Sequence, residues 1–93
     1  MTRTEILRGM IEKNGPKYQM GVCIEELAEL TKELTKHLRD KGSVMHACEE
    51  IADVEICLEQ LKLILPRAQL QIDIFKRFKF ERLQKLYLEG GER

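Results

Sequence analysis

Eight of the sixteen acidic residues in this 93-residue chain fall in two short windows. Glu25, Glu26, Glu29 and Glu33 form the first, and Glu49, Glu50, Asp53 and Glu55 the second. Residues three or four apart share one face of a helix, so Glu26 with Glu29, and Glu50 with Asp53, each project a carboxylate pair to one side. Such clustering costs stability, because like charges in a partly dry site cannot all stay ionised without a counter-charge. An all-oxygen donor set suits a hard cation, Mg²⁺ or Mn²⁺, with positions left open for water and phosphate. A ferritin-like iron site normally adds Glu-x-x-His, and neither His37 nor His46 has a Glu three residues before it. The competing reading is a pair of solvated acidic helix faces, the commoner origin of any single Glu pair.

The elements that must position these carboxylates follow from the punctuation of the chain. Gly15-Pro16, Gly42, Pro66 and Gly90-Gly91 divide it into four helical segments. The first is predicted over about Thr4 to Lys13, with Thr2 and Glu5 as a capping box. The second is predicted from Pro16 to about Leu38, with Ile24, Leu27, Thr31, Leu34 and Leu38 as an apolar stripe. Ser43 caps a third that reaches Leu65 and carries Ile51, Val54, Leu58, Leu61 and Leu65 at steps of three and four. The third is also apolar off that stripe, at Ala52, Ile56 and Leu63. The fourth spans roughly Ala68 to Leu88, with Ile72, Phe75, Phe78 and Leu86 directed to a core and Lys76, Arg77, Lys79, Arg82 and Lys85 forming a basic surface.

If the second and third helices form an antiparallel hairpin, residues equidistant from its turn lie at one height. The mid-points of 29–50 and of 26–53 coincide, inside the predicted turn at 39–42. All four acids therefore belong to one layer. Glu33 with His46 shares that mid-point and lies one layer nearer the turn, while Cys23 with Cys57 lies on the other side of the acids. His46 is either a partner behind the acids or a surface histidine. The cysteines read as small core residues without thiol chemistry.

Composition narrows the function classes. One domain covers residues 1–93, and its core is small enough that a homo-oligomer, dimer or tetramer, is expected. Acidic and basic residues balance to a net charge of zero, which argues against nucleic-acid or acidic-membrane binding. Three cysteines with no CxxC spacing fit neither a disulfide framework nor a zinc ribbon. With neither a signal-peptide pattern nor a membrane-length apolar run, the expected location is cytoplasmic.

The sequence Glu25-Glu26-Leu27-Ala28-Glu29, followed by Glu50-Ile51-Ala52-Asp53, resembles the EExxE and ExxD signature of the MazG-like, all-α nucleoside-triphosphate pyrophosphatase superfamily. The resemblance covers roughly residues 16–65. It implies a four-helix bundle, usually dimeric or tetrameric, that hydrolyses the α–β phosphoanhydride of an NTP or dNTP to the monophosphate and pyrophosphate. It further implies that Glu26, Glu29, Glu50 and Asp53 bind one or two Mg²⁺ ions, with Glu25 a further ligand or base. Lys32, Lys76, Arg77, Lys79 and Arg82 then become candidates for the triphosphate, from the same or a neighbouring subunit, although each also fits a solvated face. No Gly-x-x-x-x-Gly-Lys loop is present to hold phosphate by backbone amides. Within the same superfamily a phosphoribosyl-ATP-like substrate is an alternative, and a non-catalytic helical interaction module is another.

Overall fold

In the computed structural model, residues 1–92 are described, and they form four helices: α1 (Arg3–Asn14), α2 (Pro16–Leu38), α3 (Val44–Ile64) and α4 (Ala68–Leu88). The boundaries follow from local chemistry. Thr2 Oγ1 accepts the Glu5 amide at 3.1 Å and caps α1. Pro16 occupies the start of α2, where its missing N–H is no loss. Ser43 Oγ accepts the His46 amide at 3.3 Å and caps α3. Pro66 holds Leu65 in the extended region and so ends α3.

The turn between α2 and α3 is short and strongly specified. The Asp40 amide donates to the His37 carbonyl at 3.0 Å and the Lys41 amide to the Lys36 carbonyl at 2.9 Å, the paired closure of a Schellman motif. Asp40 therefore sits in the left-handed region at φ 56°, and Gly42 follows at φ 87°. His37 Nε2 donates to the Ser43 carbonyl across the turn at 3.2 Å. This closure makes α2 and α3 an antiparallel hairpin, the largest helix contact in the chain. Helix α1 packs across both, and Arg3 reaches Glu59 at 3.2 Å. Helix α4 meets only α3.

The hairpin seam follows the stripes that apolar periodicity selects only in part, at Val54 and at the half-buried Leu61. Its buried side chains are Gln19, Cys23 and Glu33 on α2 and Val54, Cys57 and Gln60 on α3. Gln19 links Asn14 to Gln60 through hydrogen bonds of 2.9 and 3.2 Å, and Cys23 donates to the Cys57 carbonyl at 3.5 Å. The apolar stripes lie one residue further along: Ile24, Leu27 and Leu34 follow Cys23, Glu26 and Glu33, and Ile51 and Leu58 follow Glu50 and Cys57. All five are exposed, Ile24 at 67%. Phe75 and Phe78, expected to face a core, are also exposed because α4 leaves the hairpin instead of lying along it, while Ile72 and Leu86 are half-buried. The radius of gyration is accordingly 16.4 Å, against about 12 Å for a compact chain of this length.

The turn yields a prediction of opposite signs. Asp40→Gly is expected to stabilise by about 0.5–1 kcal/mol, because the left-handed position costs a side chain that much. Gly42→Ala is expected to destabilise by about 1–2 kcal/mol, since its positive φ is combined with a Cβ only 3.2 Å from Lys36 Cβ. Denaturant unfolding at one fixed protein concentration measures both, and equal shifts would contradict the assigned turn.

Candidate metal centre

Glu26 reaches the seam from α2, and Glu50 and Asp53 reach it from α3. One carboxylate oxygen from each lies within 4.8 Å of the others. Opposite oxygens around an Mg²⁺ ion with bonds of about 2.1 Å are about 4.2 Å apart, so small side-chain rotations bring the three onto one cation. Their matched height follows from the hairpin register that the turn imposes. The two half-buried members of the trio, Glu26 and Glu50, flank the seam, while Asp53 is exposed at its edge. The cluster is therefore open to solvent on one side, as a site that retains water and admits phosphate must be.

The electrostatics of the trio disfavour its charged forms. The Glu26 carboxyl is raised above its ordinary range by burial first and then by the negative charges of Asp53 and Glu50. Glu50 is raised by burial and then by Asp53 and Glu29. Its Oε2 is buried and has no hydrogen-bond donor. Among the described residues, no lysine, arginine or histidine forms an ion pair with Glu26, Glu50 or Asp53. A buried carboxylate oxygen left in this state is costly, and a bound divalent cation removes both the repulsion and the unmet acceptor.

The other predicted residues fall into distinct places. Glu29 is exposed on α2 and lies outside the three-oxygen group, yet it is near enough for its charge to raise both Glu26 and Glu50. Glu25 is exposed, turned about 100° around α2 from Glu26, and outside the group. Lys32 is exposed on α2. Lys76, Lys79 and Arg82 are exposed on α4, with Lys79 and Arg82 lining a shallow groove beside Leu83 and Leu86. Arg77 is held over the Phe78 ring at 5.5 Å. None of these cations contacts the acid trio within the chain.

Glu33 is the one buried acid of the two windows. It is 6% exposed, pairs with Lys36 Nζ at 3.2 Å, and has His46 Nδ1 4.0 Å from its Oε1. The signal was its mid-point with His46, the same one that aligns the acid trio. On the other side of the trio, burial and then Cys23 push the Cys57 thiol up to about 12, which leaves it inert at neutral pH.

A pH dependence follows from the raised acids. Between the ordinary value of 4.5 and their raised folded values, Glu26 and Glu50 hold more protons in the folded than in the unfolded chain. Their contribution to stability therefore falls as pH rises through that interval. Glu50→Gln removes one of the repelling charges. With chelator present, its melting temperature is expected to gain on the parent's as pH increases above 4.5. Millimolar Mg²⁺ at neutral pH is expected to reverse the order in favour of the parent. Parallel pH profiles for the two proteins would show that the acids do not repel in the seam.

No family model, curated protein or solved structure matches this chain.

Proposed function

We propose that this protein is a Mg²⁺-dependent nucleoside-triphosphate pyrophosphohydrolase of the MazG-like type, acting as a homo-oligomer on an NTP or dNTP. The observation that carries this reading is the conjunction of Glu26, Glu50 and Asp53 in one layer with the unpartnered, buried Glu50 Oε2. The resemblance of Glu25–Glu29 and Glu50–Asp53 to the superfamily signature supplies the substrate class.

In this reading Glu26, Glu50 and Asp53 hold the cation, with Glu29 joining them or remaining free beside them. A cation held there would neutralise phosphate oxygens and make the attacking water more acidic. Glu29, exposed next to the trio, accepts the proton of the attacking water, with Glu25 the further candidate. The water oxygen forms a bond to the α-phosphorus, the bond from that phosphorus to the bridging oxygen breaks, and pyrophosphate leaves with the electron pair. Lys32, Lys76, Lys79 and Arg82 are the cations available for the remaining phosphate charge, those of α4 reaching it from a neighbouring subunit.

Pyrophosphate release from a panel of NTPs and dNTPs, with and without Mg²⁺, tests the activity. Release is expected only with the cation, and Glu50→Gln or Asp53→Asn is expected to lower kcat by about two orders of magnitude or more with helicity retained. Release that survives Glu50→Ala combined with Asp53→Ala would remove the site assignment. Selective hydrolysis of a phosphoribosyl-ATP analogue would favour the biosynthetic alternative. Absence of hydrolysis across the panel, together with no Mg²⁺-dependent rise in melting temperature, would favour the non-catalytic module.

A further inference from the structure

Helices α3 and α4 part at Pro66 and Arg67 like the arms of a V. Arg67 takes the left-handed conformation at φ 56°, and α4 leaves the hairpin from there, touching no helix but α3. Between the arms runs a groove of about 410 Å³, within the range of about 300–1000 Å³ common for small-ligand pockets. Its apolar walls are Leu58 and Leu61 on α3, Leu65 at the end of that helix, and Ala68 and Ile72 on α4. Leu65 and Ala68 flank the turn, and Ala68 is 8% exposed, so the groove is closed at the apex of the V. From there to Leu58 it follows α3 for about 10 Å.

The charges at this groove have one sign. Lys62 and Lys76 line it, and no acidic residue does. The acids nearest to them along their helices are engaged elsewhere. Glu59, three residues before Lys62, pairs with Arg3 at 3.2 Å, and Asp73, three before Lys76, accepts a hydrogen bond from Gln69 Nε2 at 2.9 Å. Among the described residues neither lysine forms an ion pair, although Lys62 is half-buried. A lysine stem lies along apolar surface while its ammonium keeps to the edge, so the two extend the walls and leave positive charge at the rim. The hollows beside α1 differ, since each is lined by an acid, Glu12 or Glu59, as well as by cations.

We infer that the α3–α4 groove binds a free fatty acid, with the acyl chain reaching to the apex and the carboxylate held by Lys62 and Lys76. An apolar body with one anionic end is what apolar walls and unpaired rim lysines complement. The closed apex suits the end of a single chain, whereas a helix of another protein needs both ends of a groove open. A membrane surface fits less well. Phe78 and Phe80 point about 200° apart around α4, so its apolar side chains do not gather on one face as a surface-bound helix requires. The inference goes beyond the hydrolytic reading and does not depend on it, because Lys62 is not among the residues that reading uses.

Calorimetric titration of the full chain with laurate, kept below the concentration at which laurate aggregates, provides the test. One laurate per chain is expected, with a rise in melting temperature on saturation. Dodecanol has the same chain without the charge, and it is expected to bind at least about tenfold more weakly, the loss that follows when a charge-assisted contact is absent. Lys62→Glu is expected to weaken laurate to a similar degree with helicity retained, and Lys62→Arg to preserve binding. Should Lys62→Glu fail to fold, the comparison of laurate with dodecanol on the unaltered chain decides the role of the charge. Equal affinity for the two, or laurate binding unmoved by a folded Lys62→Glu, would overturn the inference. So would binding confined to phosphatidylglycerol vesicles, which assigns α4 to a membrane surface. Absence of binding in a species sedimenting at a multiple of 10.9 kDa would overturn it too, and leave the groove to another copy of the chain.

Discussion

The constraint on which this molecule depends is the register of a polar seam. Gln19 faces Gln60, Cys23 faces Cys57, Glu26 meets Asp53, and Glu33 approaches His46, all about one mid-point in the turn. A two-helix seam of leucines would tolerate small slips, because apolar contact has no direction. A seam made of glutamines and carboxylates does not. Its hydrogen bonds are lost with a shift of one residue, and a buried polar atom left without its partner costs about 1–3 kcal/mol. The Schellman closure at Lys36–Lys41 and the Ser43 cap fix the same register from the turn end.

With much of the seam given over to polar groups, many apolar residues of α2 and α3 lie outside it, and five of them share one flank. The offset of one residue between seam and stripe therefore does two things at once. It brings Glu26, Glu50 and Asp53 together between the helices, and it turns Ile24, Leu27, Leu34, Ile51 and Leu58 outward as a continuous surface. This division explains why so few apolar side chains are buried, with Cys23, Val54, Cys57 and Ala68 forming the core among the described residues.

The helices were legible in the sequence because their ends are marked by residues with one strong local preference. Thr2, Pro16, Ser43 and Pro66 act through the neighbouring backbone, and tertiary context does not compete with them. The acid layer was legible because hairpin height depends only on distance along the chain from the turn. The seam was not. Apolar periodicity marks one face of a helix, and it does not say which residues of that face meet another helix of the chain. On α2 the seam residues Gln19, Glu26 and Glu33 look like a solvated face, and the stripe next to them has the pattern of a packing surface. The direction of α4 was equally hidden, since Phe75 and Phe78 have the same pattern whether α4 lies along the hairpin or leaves it.

The polar seam and the bare stripe are also linked energetically. Glu26 and Glu50 weaken the hairpin as they ionise, because burial and mutual repulsion both act against their charged forms. A cation at the trio would convert that penalty into an attraction and would tie α2 to α3 at their mid-length. The stripe spans the same two helices, with Leu27 next to Glu26 and Ile51 next to Glu50, so any change in helix separation at the acids changes the flatness of the apolar face.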